Sequence, residues 1–190
     1  MLFPYNVDVP MERWPIANWA VIALTSVATF WGWANPDAEQ WMLWRGDEFQ
    51  ATQLLTHMLL HADPIHLIGN MLMLFVFGNA VNARLGHIAY VLAYVACGVC
   101  AGLLWLATDG GEASLGASGA IMGVVGMFLV YYPKNDVSVF LWFFGPRTFQ
   151  CSAYWIILMY VGFDLLAFSS GSGDGFGSST AARRASRSGW

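Results

Sequence analysis

Residues 115–129 read LGASGAIMGVVGMFL, and what they form decides how the rest of the chain is arranged. Gly116, Gly119, Gly123 and Gly126 recur every three or four residues, and Ser118 stands at the head of an apolar run that ends at Pro133. That spacing gathers small residues on one side of a helix. Gly119-x-x-x-Gly123 is a face on which a second membrane helix can come close. A helix start also leaves its first backbone N–H groups without intrahelical partners and carries the positive end of the helix dipole. Ser118 therefore has two readings: a small residue that eases packing, or a nucleophile whose own amide helps to hold an oxyanion.

The surrounding composition says that this run lies in lipid. Of 190 residues, 57% are apolar and 11% charged, where a soluble domain carries about a quarter charged. The length fits one domain. A hydrocarbon core of ~30 Å needs ~20 mostly apolar residues per helix. Five segments come close: about 15–33, 66–81, 88–107, 116–132 and 152–168. The second, fourth and fifth are short, so tilt or local thinning is expected. The expected fold is thus an all-α, multi-pass helical bundle with five recognisable transmembrane helices. VSVFLWFFGP, 137–146, is too brief to span and is expected in the membrane interface, where Trp142 is comfortable. The connection 34–64 mixes Trp41 and Trp44 with the helix-like TQLLTHMLLH, and is expected to be a folded, partly membrane-embedded loop.

Cations set the orientation, because Lys and Arg favour the cytoplasmic ends of spans. If five spans alternate, Arg13, Arg84, Lys134 and Arg147 fall on one side and only Arg45 on the other. Segment 1–14 is then cytoplasmic. It holds Asp8, Glu12 and two prolines, unlike a cleavable signal peptide. The tail 169–190 breaks the pattern. It is a flexible, Gly- and Ser-rich composition carrying Arg183, Arg184 and Arg187, which five spans would leave outside. A sixth span would return it to the cytoplasm. The net charge of −4 forms no basic patch, so nucleic-acid binding has no support. Cys97-x-x-Cys100 lies inside an apolar run without a second pair, and reads as small packing residues rather than a redox or metal motif.

Under this topology His66 opens the second span and Ser118 the fourth, both from the outer face. Asn70 lies one helical turn deeper than His66 on the same side. A hydroxyl, an imidazole and a carboxamide are expected to converge in the outer third of the membrane. His57 and His61, four residues apart, raise a metal reading if they share a helix face. No H-E-x-x-H accompanies them, so hydrogen-bonded structural histidines are the preferred reading and no metal is expected. Asp63 reads as a turn residue before Pro64. Asp164, an acid inside the fifth span, lies near its end and is expected to make a structural hydrogen bond.

TQLLTHMLLHADPIHLIGNMLMLFVFG followed by LGASGAIMGVVGMFL resembles the rhomboid family of intramembrane serine proteases. The match comprises H-x-x-x-N (His66, Asn70) opening the second span, G-x-S-G (Gly116 to Gly119) opening the fourth, and HMLLHAD upstream, over about residues 15–168. The resemblance implies a six-helix core, hydrolysis of transmembrane protein substrates near the outer membrane surface, and a Ser–His dyad with no metal or organic cofactor. It implies Ser118 as nucleophile, with His66, Asn70 and the Ser118 amide at the oxyanion and Gly116 and Gly119 supporting the motif. It also implies an integral membrane protein, of a bacterial-type plasma membrane given so minimal a chain. Two departures are plain. The family's frequent Trp-Arg pair in the first loop reads Thr52-Gln53, with Arg45 in an earlier Trp-Arg. The family's general base, a histidine on the sixth span in an A-H-x-x-G setting, has no counterpart, since His57, His61, His66 and His87 all precede Ser118. A reading-frame change near Gly171 accounts for the lost span and the lost base together. The alternative is a catalytically dead rhomboid-like protein that binds membrane proteins. A small channel or transporter subunit would need broken helices or rows of intramembrane charge that are not seen.

Overall fold

In lipid a chain must satisfy its own backbone N–H and C=O groups, which makes the apolar runs helices. The structure, a computed structural model, describes residues 2–9, 12–108, 111–141 and 147–169. The first span is α1 (Ile16–Ala34), which turns Asn18, Thr25, Ala28, Thr29 and Gly32 inward and leaves Leu24, Val27 and Phe30 facing outward. The first loop holds the short strand β2 (Leu43–Trp44) and the single turn α2 (Gln53–Thr56), joined by 3-10 turns. The second span is α3 (Pro64–Met73), a π turn at Leu74–Gly78, and α4 (Asn79–Leu85). Next come α5 (His87–Leu106), β3 (Ala113–Ser114), α6 (Ser118–Tyr131) and α7 (Ala153–Ser169). The molecule is mostly helical, as expected, and the described residues hold five apolar helical segments, of which three are long enough to cross a bilayer: Ile16–Ala34, Pro64–Leu85 and His87–Leu106.

The second span is longer than its apolar run. Asp63 is a helix cap rather than a turn residue: its carboxylate accepts from the amides of Ile65 (2.8 Å) and His66 (2.9 Å), with Pro64 at the first helical position. Within the span, at the π turn, the Leu74 carbonyl accepts from Asn18 Nδ2 at 2.8 Å. The same nitrogen donates to Asn79 Oδ1 at 2.8 Å, and Tyr90 donates its hydroxyl proton to Asn18 Oδ1. Three spans are pinned by one buried amide.

Segment 137–146, expected in the membrane interface, begins as a strand. Residues 136–141 form β4 (Asp136–Leu141), the middle strand of an antiparallel sheet between β1 (Leu2–Val7) and β5 (Arg147–Ser152). Val7 pairs with Val137, and Asp136 with Ser152. As the middle strand, β4 has backbone partners on both edges. Trp142 to Pro146 and the tail 170–190 lie outside the described residues.

Charged groups gather at both ends of α5. At its start a Cβ on Gly86 would meet the Arg13 guanidinium, and Arg84 pairs with Glu12 at 2.8 Å. At its finish Arg45 donates to the carbonyls of Trp105, Leu106 (3.3 Å), Thr108 and Gly111 (3.0 Å), with its guanidinium 4.0 Å from the centre of the Trp105 ring. Arg45 thereby closes the C-terminal carbonyls that any helix leaves open and adds a cation–π contact. Gln53 is buried. Its oxygen accepts from the amides of Trp44 (3.2 Å) and Gln50 (3.1 Å), and its nitrogen donates to the carbonyls of Gln40 (3.4 Å) and Glu48 (3.2 Å).

Helix α6 lies against α5 at the glycine face. A Cβ on Gly119 would run into Ala101, and one on Gly123 into the side chain of Cys97, whereas one on Gly126 would meet nothing within 4 Å. Cys97 is thus a packing residue, as its sequence context implies. Gly123→Ala should destabilise the fold by about 1–3 kcal/mol, the usual cost of overpacking. Gly126→Ala should stay within about 0.5 kcal/mol of the parent. Thermal unfolding of both variants in detergent checks the contrast, and equal melting would refute the close approach.

Candidate active site

The loop into α6 is built from three consecutive residues with different constraints. Gly116 has φ +123°, a conformation that L side chains rarely adopt. A Cβ there would also stand 3.0 Å from His66 Cε1 and 3.3 Å from Nε2, so the imidazole of His66 rests on the bare glycine. The Gly116 amide donates to the His57 carbonyl at 2.9 Å. Ala117 is buried, and its amide donates to His61 Nε2 at 3.5 Å. Ser118 is the first residue of α6 and is half-buried.

His66 and Asn70 are on α3, one turn apart. Asn70 Nδ2 donates to the His66 carbonyl at 2.9 Å, and its Oδ1 accepts from the Tyr160 hydroxyl of α7 at 2.8 Å. The Asn70 amide is therefore oriented by two elements. His66 meets His61 edge-on, with ring centres 5.0 Å apart. A cavity of roughly 170 Å³ opens beside the serine, lined by Ser118, His57, Ser114, Gly102, Trp105 and Gly116 among others.

The structure brings His66, Gly116 and Ser118 into one neighbourhood with Asn70 a turn away. Gly119 serves it indirectly, by letting α6 reach Ala101 of α5. His57 and His61 do not share a helix face: the chain passes from α2 into a 3-10 turn at His57–Leu59. His57 Nδ1 bonds the Gln53 carbonyl at 2.7 Å, while His61 Nδ1 meets Thr29 Oγ1 at 3.1 Å. His87 is at the opposite end of α5 from the Arg45 cluster, with Nδ1 3.4 Å from Asn82 Nδ2. Asp164 falls within α7, and its side-chain surroundings lie outside the described residues. Thr29 and Tyr160 are partners that motif reading passes over. Each is a polar tip in an apolar span, and only that oddity marks it.

Burial depresses the basicity of both loop histidines. His61 is pushed down to about 3, first by desolvation and then by the neighbouring His66. His57 is lowered by burial, partly offset by the Gln53 carbonyl. An unfolded histidine takes up a proton near pH 6.5, whereas folded His61 stays neutral down to about 3. The unfolded state binds more protons in that window, so stability is full above it and falls as pH drops through it. Unfolding in detergent at a series of pH values should show this decline, with His61 contributing a slope of at most ~1.4 kcal/mol per pH unit. His61→Gln should flatten much of it. An unchanged slope in that variant would assign the effect to other groups.

Comparison with known proteins agrees with the geometry. The family model described as Rhomboid domain matches residues 41–179. YdcA of Bacillus subtilis (strain 168), named for the rhomboid protease class, is 29% identical over 134 residues, covering 65% of this chain and 66% of its own. Rhomboid-like protein 11, chloroplastic, of Arabidopsis thaliana is 37% identical over 73 residues, 38% of this chain and 26% of that protein. Rhomboid protease GluP of Bacillus subtilis (strain 168) is 34% identical over 111 residues, 58% of this chain but 20% of GluP. The matched part is thus under two thirds of these relatives' own lengths. No solved structure matches the chain. With the family model spanning most of the sequence and its H-x-x-x-N and G-x-S-G residues brought together at the head of α6, this chain belongs to the rhomboid family of integral membrane proteins.

Proposed function

We propose that the chain carries a rhomboid-type intramembrane serine endopeptidase site, with Ser118 as nucleophile and His66, Asn70 and the Ser118 amide as oxyanion donors. The observation that carries this reading is the His66 imidazole lying on Gly116, two residues before Ser118. In such a site Oγ of Ser118 attacks a peptide carbonyl, and the oxygen's developing charge falls to donors already held in place. Gly116 and Gly119 support the motif, one by its conformation and the other by close packing. The substrates are transmembrane segments of other proteins, cleaved near the outer surface. The length of α6 supports that depth: 14 residues rise only ~21 Å against a hydrocarbon core of ~30 Å, which leaves the serine end recessed. The gathering of Arg13, Arg84 and Glu12 at the start of α5 supports a cytoplasmic N-terminus, in a bacterial-type plasma membrane. The unit is read as a rhomboid-like domain over 15–168, preceded by a cytoplasmic segment 1–14.

The weak point of the site is the proton. A serine hydroxyl needs a base, and no histidine follows Ser118 in these 190 residues. His87 is at the far end of α5, and His61 has both ring nitrogens engaged. A reading-frame change near Gly171 is the account we propose for the Gly- and Ser-rich composition of 169–190. The missing base favours a second reading, a catalytically dead rhomboid-like protein that binds membrane proteins.

A fluorophosphonate probe separates the readings. The purified 190-residue chain should label weakly or not at all, and any labelling should vanish in Ser118→Ala. Adding an apolar sixth span that carries A-H-x-x-G should restore it. Labelling that persists without Ser118 would remove the nucleophile assignment. A restored chain that stays unlabelled while folded would favour the binder.

A further inference from the structure

The head of α6 lacks a cap of its own. Its N-cap residue is Ala117, which offers no side-chain acceptor, although helices ordinarily place Ser, Thr, Asp or Asn there. Buried amides are seldom left unpaired, and here the partner comes from another part of the chain. The Ala117 N–H points at Nε2 of His61, 3.5 Å away.

The hydrogen-bond chain behind that imidazole admits one arrangement. Thr29 Oγ1 donates its only proton to the Leu59 carbonyl at 2.9 Å. Toward His61 Nδ1, 3.1 Å away, the hydroxyl must then accept, so Nδ1 carries the proton. A neutral imidazole carries one N–H, which leaves Nε2 bare and able to accept from Ala117. The opposite tautomer would set Nε2–H against the Ala117 N–H and face a lone pair of Nδ1 toward one of Thr29. His61 is 1% exposed, so water cannot readily compensate a mismatch.

We infer that His61 is the helix cap of the serine-bearing span, supplied from the first loop, and that Thr29 of α1 sets its tautomer. The relay runs from α1 through the loop to α6: Ala117 N–H to Nε2, Nδ1–H to Thr29, Thr29 O–H to Leu59. His61 is a positioning residue, and it touches no reacting atom. With the Gly116 amide on the His57 carbonyl and the Ala117 amide on His61, the next amides along the chain are those of Ser118 and Gly119. Helix geometry gives them no intrahelical acceptor, so they are the ones presented to a ligand. This last consequence rests on the protease reading. The cap itself does not.

The test is NMR of the full chain in micelles with nitrogen-15 labelled histidine, together with hydrogen exchange of the Ala117 amide. His61 should show the Nδ1–H tautomer, and the Ala117 amide should be protected. Thr29→Val should give a mixed or inverted tautomer and speed exchange at Ala117 about tenfold, the scale of one lost hydrogen bond. Thr29→Ser should restore both. An Nε2–H tautomer in the parent chain would overturn the inference, and this holds even if the valine variant fails to fold. Unchanged exchange in a folded Thr29→Val protein would also overturn it. Neither readout uses the reactivity of Ser118. A capped, protected loop in a chain that never labels after the sixth span is restored would therefore support the cap while removing the protease reading.

Discussion

The close approach of α6 to α5 is the constraint on which the site depends. Gly119 lies where a Cβ would overlap Ala101, and Gly123 where one would overlap Cys97. In lipid no water is gained by burying apolar surface between helices, so contact must come from packing and from polar pairs. Two glycines and two small partners allow backbone-scale contact, and that contact fixes the depth and rotation of a short helix. Ser118 inherits both. A longer side chain at either glycine would lift α6 away and carry the serine with it.

Polar groups do the remaining fastening, each where the backbone would otherwise go unsatisfied. At the π turn Leu74–Gly78, Asn18 of α1 donates to the Leu74 carbonyl. The end of α5 opens several carbonyls, and Arg45 gathers them. The first loop folds around the buried carboxamide of Gln53, which reaches four backbone groups from Gln40 to Gln53's own turn. In hydrocarbon an unmade hydrogen bond costs several kcal/mol. These side chains are therefore specific in where they must lie, and the loop they hold delivers His57 and His61 to the α6 head.

The site brings the His66 imidazole onto the bare Gly116, two residues before Ser118. The chain belongs to the rhomboid family, and the His66 imidazole rests on Gly116 beside Ser118. The burial that keeps His61 neutral also commits its two nitrogens to structure. All four histidines of the sequence, His57, His61, His66 and His87, precede Ser118.

Much of this was legible in the residues themselves. Five apolar runs set the helices, because a backbone in lipid has few alternatives. The spacing of Gly119 and Gly123 marked the packing face, and His66, Asn70 and Ser118 are the residues on which the proposed site rests. Composition could not disclose pairing partners distant in sequence. The strand β4 at 136–141 needed β1, more than a hundred residues earlier, to satisfy its second edge, and Asp63 became a cap only because Pro64 begins a helix. Gln53, Thr29 and Tyr160 looked ordinary until folding placed them beside backbone groups or side chains in need of a partner. Local sequence determined where the helices lie and which residues could do chemistry. Tertiary structure alone decided which polar atoms meet, because a hydrogen bond depends on positions a few ångströms apart in space and not on distance along the chain.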